Sequence, residues 1–291
     1  MRYINVEGYN PKSLKIVSQK KLSEMISKVS IAEKKAYLDV PDNQIWTKYK
    51  RGFERLSHNK CWFTEAYSTL SDFHIEHFRP KKKIYLIKNK DPYIEERIAT
   101  DNNGYWWLSF ELGNFRLAGG KPNQYKGNYF PLESGSKVAK ELDNSWRNEK
   151  PMFLDPCVKE DVELITYDGV EPKESNPDIN SLEHIRARIS IKIYALKINK
   201  LKNARSRIFE VAKNYYNSAE LNWKALNENN GVNQVAYNLA KENFDVSCSN
   251  LVLMLKPNKE FTRMVLVFLV STNLDWIEEY IIDVAKANKF I

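Results

Sequence analysis

The sequence predicts an α+β protein that is mainly α-helical, with a small strand-containing core between helical flanks. Three observations carry this. From Ser181 onward, apolar residues recur at helical spacing: Ile185, Ile189, Ile193 and Leu196, then Leu201, Ala204, Ile208 and Val211. Residues 57–135 instead hold short elements, frequent Gly and Asn, and clustered aromatics. Between them, Val162–Tyr167 followed by Asp168-Gly169 reads as a strand entering a turn.

Four segments follow. Residues 1–56 form an N-terminal helical arm. It has a short strand-like opening at Arg2–Val6, a helix over Leu14–Tyr37 and another over Asn43–Leu56. Residues 57–135 form the site-bearing core, in which Gly104–Phe110 reads as a buried strand or short helix. Residues 136–180 are connection, because Pro151, Pro156, Pro172 and Pro177 keep helices out. Residues 181–291 are a C-terminal helical region, with helices expected at Ser218–Asn227, Asn233–Leu255 and Glu260–Lys286.

Composition narrows the function classes. The net charge of +8 is compatible with an anionic partner such as nucleic acid. Three scattered cysteines, Cys61, Cys157 and Cys248, do not make a disulfide framework and fit a reducing cytoplasm. The N-terminal residues have no apolar stretch of the secretory kind, and the longest apolar run, Met264–Val270, falls far short of the ~20 residues of a membrane span. A cytoplasmic protein without a membrane partner is the expectation. Gly119-Gly120 is not followed by Lys-Ser/Thr, so no phosphate-binding loop is present.

Two of the four histidines fall in one stretch, Asp72-Phe73-His74-Ile75-Glu76-His77-Phe78-Arg79-Pro80-Lys81-Lys82-Lys83. Imidazole and carboxylate are ordinary ligands of Mg²⁺, Mn²⁺, Zn²⁺ or Ni²⁺. The order is not His-Glu-x-x-His, which excludes the helical zinc-protease motif. On a strand, Glu76 and His77 point to opposite faces, so they share one site only with different tasks or where the strand bends. Alone, the stretch reads better as a solvated strand end before a basic loop. Its context points to a site. Arg79 and Lys81 set cations beside a candidate base, and Asn114 and Asn123 follow, the latter three residues before Lys126. Phosphodiester hydrolysis requires a base for water, a cation at the leaving oxygen and positive groups for flanking phosphates.

These residues resemble the ββα-metal (HNH) nuclease motif, and more narrowly the HNH nuclease subunit of Septu and retron-associated anti-phage systems. The likeness spans roughly residues 57–210. It rests on Glu76-His77-Phe78-Arg79-Pro80-Lys81, Gly104-Tyr105-Trp106-Trp107-Leu108, Asn114-Phe115, Asn123–Lys126, Asn128-Tyr129-Phe130-Pro131-Leu132 and Leu154-Asp155-Pro156-Cys157. It implies His77 as general base, with Glu76 and Asn123 holding one divalent ion, Mg²⁺ or Mn²⁺, with Zn²⁺ or Ni²⁺ as alternatives. Asn114 would fix the loop carrying His77, and Arg79, Lys81 and Lys126 would contact phosphates. His74 would be a third ligand or would orient Glu76. The implied partners are DNA, an ATPase of the ABC or SMC type, and a retron reverse transcriptase with its non-coding RNA and DNA. A non-cutting binding subunit and an RNA- or tRNA-cutting toxin are the alternatives.

The sequence departs from that family where two cysteine pairs belong. Cys61-Trp62-Phe63-Thr64 keeps one cysteine, and Gly119-Gly120-Lys121-Pro122 keeps none. A structural zinc takes about four ligands, so none is expected, and Trp62, Phe63, Trp106 and Trp107 are expected to hold the scaffold by packing. Cys157, Cys248 and His184 are read as structural, His58 as a solvated loop residue, and the Arg186–Arg207 basic face as solvated.

Overall fold

The computed structural model describes residues 1–68, 72–84 and 103–291. The 57–135 segment therefore includes 69–71 and 85–102, which lie outside the described residues. The chain is α+β and mainly helical, and it divides into two compact units. The first holds Met1, residues 3–165 and 174–196, and the second Arg2, residues 166–173 and 197–291. Among the described residues, no helix is long and apolar enough to cross a membrane.

Arg2–Val6 forms no strand; Ile4 N–H donates to Pro156 O at 2.8 Å, and Val6 O accepts from Tyr9 N–H at 3.2 Å. The helix expected over Leu14–Tyr37 is two helices, α1 (Lys12–Ile26) and α2 (Ile31–Asp39). The break comes from a capping box. Ser30 accepts from Glu33 N–H while the Glu33 carboxylate takes the Ser30 N–H, which starts a new helix inside a continuous apolar pattern. The Asn43–Leu56 helix is likewise divided, into 3₁₀ turns at Pro41–Asn43 and Ile45–Tyr49 and then α3 (Lys50–Leu56). Pro41 starts the first turn, where its missing N–H costs nothing.

The middle of this unit is a two-stranded antiparallel sheet followed by a helix. β1 (His74–His77) pairs with β2 (Phe115–Ala118), with His74 opposite Ala118 and His77 opposite Phe115, and α4 (Gly120–Lys126) follows. Gly104–Phe110 contains a 3₁₀ turn at Trp106–Leu108, not a strand. Trp62, Phe63, Trp106 and Trp107 are all buried. The two loops where paired cysteines would sit lie against each other: Gly119 N–H donates to Cys61 Sγ at 3.3 Å, and Trp62 N–H donates to Leu117 O at 3.0 Å. Packing and backbone bonds hold this junction, and Trp62 stacks on Phe53 at 4.7 Å between ring centroids.

The strand expected at Val162–Tyr167 begins later. α5 (Lys159–Glu163) takes its first residues, β3 is Ile165–Asp168, and β4 (Glu171–Glu174) pairs with it across the Asp168-Gly169 turn. α6 (Leu182–Ile193) belongs to the first unit. Ser181 caps it, accepting from His184 N–H at 3.2 Å, and His184 Nδ1 meets Asn176 O at 2.8 Å, a structural role.

The second unit is built on α7 (Asn199–Asn229) and α8 (Gln234–Met254). The helix expected at Ser218–Asn227 is the last part of α7, which runs without a break. The Glu260–Lys286 helix is instead interrupted. α9 (Thr262–Ser271) ends before Asn273, which takes a left-handed conformation (φ 51°), and α10 (Asp275–Ile277), a π-helical turn (Glu278–Ile282) and α11 (Asp283–Ala287) complete the chain. Cys248 is buried in this unit and Cys157 half-buried in the first.

Candidate active site

A cleft of about 410 Å³ opens in the first unit at the end of β1. His74, Glu76, His77, Lys81 and Asn123 all border it, with Asn128 beyond α4. The N-terminal arm supplies the facing wall through Gln44, Trp46, Thr47 and Lys50, the last ion-paired with Asp72 at 3.3 Å.

His77 is buried and held on three sides. Its Nε2 lies 3.0 Å from Ser109 O. The rings of Trp46 and Phe115 lie nearly perpendicular to it, at centroid distances of 5.0 and 5.1 Å. A carbonyl oxygen only accepts, so Nε2 carries the proton and Nδ1 keeps its lone pair. Nδ1 faces the Lys81 ammonium at 3.5 Å. Burial first, then the Lys81 charge, hold the imidazole well below its ordinary pKa; the Ser109 bond opposes this and Lys126 adds to it. At neutral pH the ring is uncharged and able to accept a proton.

Asn114 fixes the segment that leaves β1. Its Oδ1 accepts from Arg79 N–H at 2.7 Å, and its Nδ2 donates to Arg79 O at 3.0 Å and Leu108 O at 3.3 Å. Its own carbonyl accepts from Phe78 N–H at 2.8 Å. One fully buried side chain thus ties the His77 strand to the loop that carries Ser109.

Two of the three residues expected at phosphates are turned inward. Arg79 is buried: its Nε donates to Glu149 Oε2 at 2.7 Å, its Nη2 to Trp146 O at 2.7 Å, and its guanidinium lies over the Phe130 and Trp146 rings at 5.1 and 5.0 Å. Lys126 is fully buried and donates to Glu76 Oε1 at 2.7 Å and His77 O at 3.1 Å. An uncompensated buried charge is costly, so each cation keeps its internal partner and turns away from solvent. Lys81 does line the cleft, with its ammonium 4.9 Å from the centroid of Trp46. Burial pushes the Lys81 pKa down; Glu76 and Asp39 oppose that, while Lys82 and Lys126 add to it.

His74 and Glu76 lie two residues apart on one face of β1, and His74 is exposed. Asn123 comes from the fourth position of α4, which begins at Gly120. Among the described residues, no three His, Cys, Asp or Glu side chains stand close enough to hold an ion by themselves. Donors at the cleft include the Glu76 carboxylate, shared with Lys126, the Asp72 carboxylate, paired with Lys50, the His74 imidazole, and the Asn123 and Asn128 carboxamides. This set is rich in hard oxygen atoms, which fits Mg²⁺ or Mn²⁺.

Trp46, Ser109 and Glu149 take part without any local sequence signal. Each reaches the site through tertiary contact, and only the density of aromatics near Trp46 hinted at a packed wall. In comparisons with known proteins, no family model matches the chain, and no curated protein matches it.

Proposed function

We propose that this chain is a metal-dependent endonuclease of the HNH type that hydrolyses phosphodiester bonds of DNA, the effector of an anti-phage system that works with an ABC- or SMC-type ATPase. The observation that carries the chemistry is the state of His77: neutral, oriented through Nε2 by Ser109, with the Nδ1 lone pair at a cleft that also holds Glu76 and Asn123. The strand–strand–helix order of β1, β2 and α4 supports the family reading. The defence context and the ATPase, reverse transcriptase and DNA partners rest on the sequence resemblance.

In this reading His77 Nδ1 accepts a proton from water, whose oxygen attacks the scissile phosphorus as the bond to the 3′ oxygen breaks. Glu76 and Asn123, with His74, would hold the divalent ion, which when bound supplies positive charge to the phosphate and the leaving oxygen. Lys81 neutralises a phosphate oxygen. Asn114 keeps His77 and Ser109 in register.

One observation favours a second reading, an HNH-fold subunit that binds without cutting: the Lys126 ammonium sits 2.7 Å from the principal carboxylate ligand. Incubation of supercoiled plasmid and, separately, structured RNA with Mg²⁺ or Mn²⁺ separates the readings, with the chain alone and with its ATPase. Metal-dependent nicking of the plasmid supports the endonuclease. Cleavage of RNA alone moves the substrate to RNA. No cleavage under any of these conditions leaves the binding subunit.

A further inference from the structure

Beyond the cleft, the segment after His77 carries three consecutive lysines. Lys81 lines the cleft, Lys82 is half-buried and Lys83 is exposed. The backbone that carries them is docked rigidly. Tyr105 N–H donates to Pro80 O at 2.7 Å, and Gly104 lies so close that an added Cβ would stand 2.8 Å from the backbone of Lys82 and Lys83. Gly104 has φ +70°, a second reason that no side chain fits there.

Lys35 comes to the same place from α2, its Nζ donating to Asn103 Oδ1 at 3.0 Å. The charges that press on Lys35 are all of its own sign: after burial, Lys83 and Lys82 lower its pKa. Asp39, at the end of α2, is ion-paired with Lys82. Lysines from two separate elements thus gather beside the cleft, and Asp39 pairs with Lys82 among them.

We propose that Lys81, Lys82, Lys83 and Lys35 form a lane for the phosphodiester backbone of a nucleic-acid strand leaving the cleft, an inference that rests on the endonuclease reading. Lysines brought to one place from two elements suit an anion, and a backbone with regularly spaced phosphates meets several of them at once. Asp39 occupies Lys82 until a phosphate replaces it.

The test is fluorescence anisotropy of a labelled DNA duplex, and of the matching RNA duplex, in EDTA over a KCl series. The full-length chain is compared with Lys35→Gln/Lys82→Gln/Lys83→Gln and with Asp39→Asn. The triple variant should bind at least tenfold more weakly, with the slope of log K against log [KCl] reduced by about 2–3, the loss of up to three phosphate contacts. Asp39→Asn should bind more tightly than wild type. Hydrolysis of bis(p-nitrophenyl) phosphate in Mn²⁺, which needs the cleft alone, should be unchanged in both variants. Wild-type affinity and slope in the triple variant overturn the lane, as does absence of binding to either duplex by the wild-type chain. Loss of small-diester hydrolysis in the triple variant also overturns it, because the lysines would then serve the cleft. Absence of small-diester hydrolysis in wild type is a failure of the endonuclease reading instead.

Discussion

At the residue scale, His77 is defined by what surrounds it. Ser109 fixes its tautomer, two aromatic rings fix its plane, and burial with Lys81 keeps it neutral. The consequence for stability has a definite sign. The folded pKa lies below the unfolded value, so between the two the unfolded chain binds more protons. The contribution of His77 is therefore fully present above an unfolded pKa of about 6.5 and is lost as pH falls toward the folded value, by at most about 1.4 kcal/mol per pH unit. Thermal melts should show wild type losing more stability from neutral to mildly acidic pH than His77→Gln does; equal losses would show that the imidazole is not buried in its neutral form. The family resemblance singled out His77, Glu76 and Asn114, and the structure brings the three close together. The resemblance gave no sign that Arg79 and Lys126 are paired internally, because a cation beside a candidate site reads as a phosphate contact unless its partner is visible. The partner of Arg79 is Glu149, which is 70 residues distant, and that of Lys126 is Glu76, which is 50 residues distant.

At the element scale, the site needs three pieces: β1, α4 and the 3₁₀ turn that carries Trp46. α4 contributes Lys126, and breaking a buried ion pair by removing one partner costs about 3–5 kcal/mol. Lys126→Met should therefore lose roughly that much in urea unfolding without metal. It should regain part of the loss when Mn²⁺ is added, since the ion then replaces the missing cation at Glu76. No difference between Mn²⁺ and EDTA in this variant would remove Glu76 from the ligand set. The Trp46 turn holds both His77 and Lys81. Trp46→Ala should cost about 3–5 kcal/mol and open the imidazole to water, so that its pKa, read by NMR titration, rises. Trp46→Phe should restore most of the shielding. An unchanged pKa in Trp46→Ala would limit the turn to a structural role. The arm's part in the site was not legible, because helical periodicity reports that residues 43–56 bury a face but not which face they meet. The division of Leu14–Tyr37 was legible only in Ser30 and Glu33, a local signal outweighed by the continuous apolar pattern around it.

At the scale of the whole molecule, the mainly helical α+β class followed from periodicity, since a face that repeats every 3.6 residues needs no partner to be read. Breaks that rest on single residues, such as Asn273 after α9, left no mark in that pattern. The site belongs to the first unit, where aromatic packing and backbone bonds join the loops at Cys61 and Gly119. All of the chemistry proposed for the cleft depends on one group accepting one proton. Nicking of supercoiled plasmid in Mn²⁺, measured side by side for wild type and His77→Ala, tests this most directly. A positioned general base contributes 10²–10⁴-fold, so the variant should be slower by about that factor while its melting temperature in EDTA shows it folded. Nicking at the same rate by His77→Ala would contradict the assignment of His77 as the base.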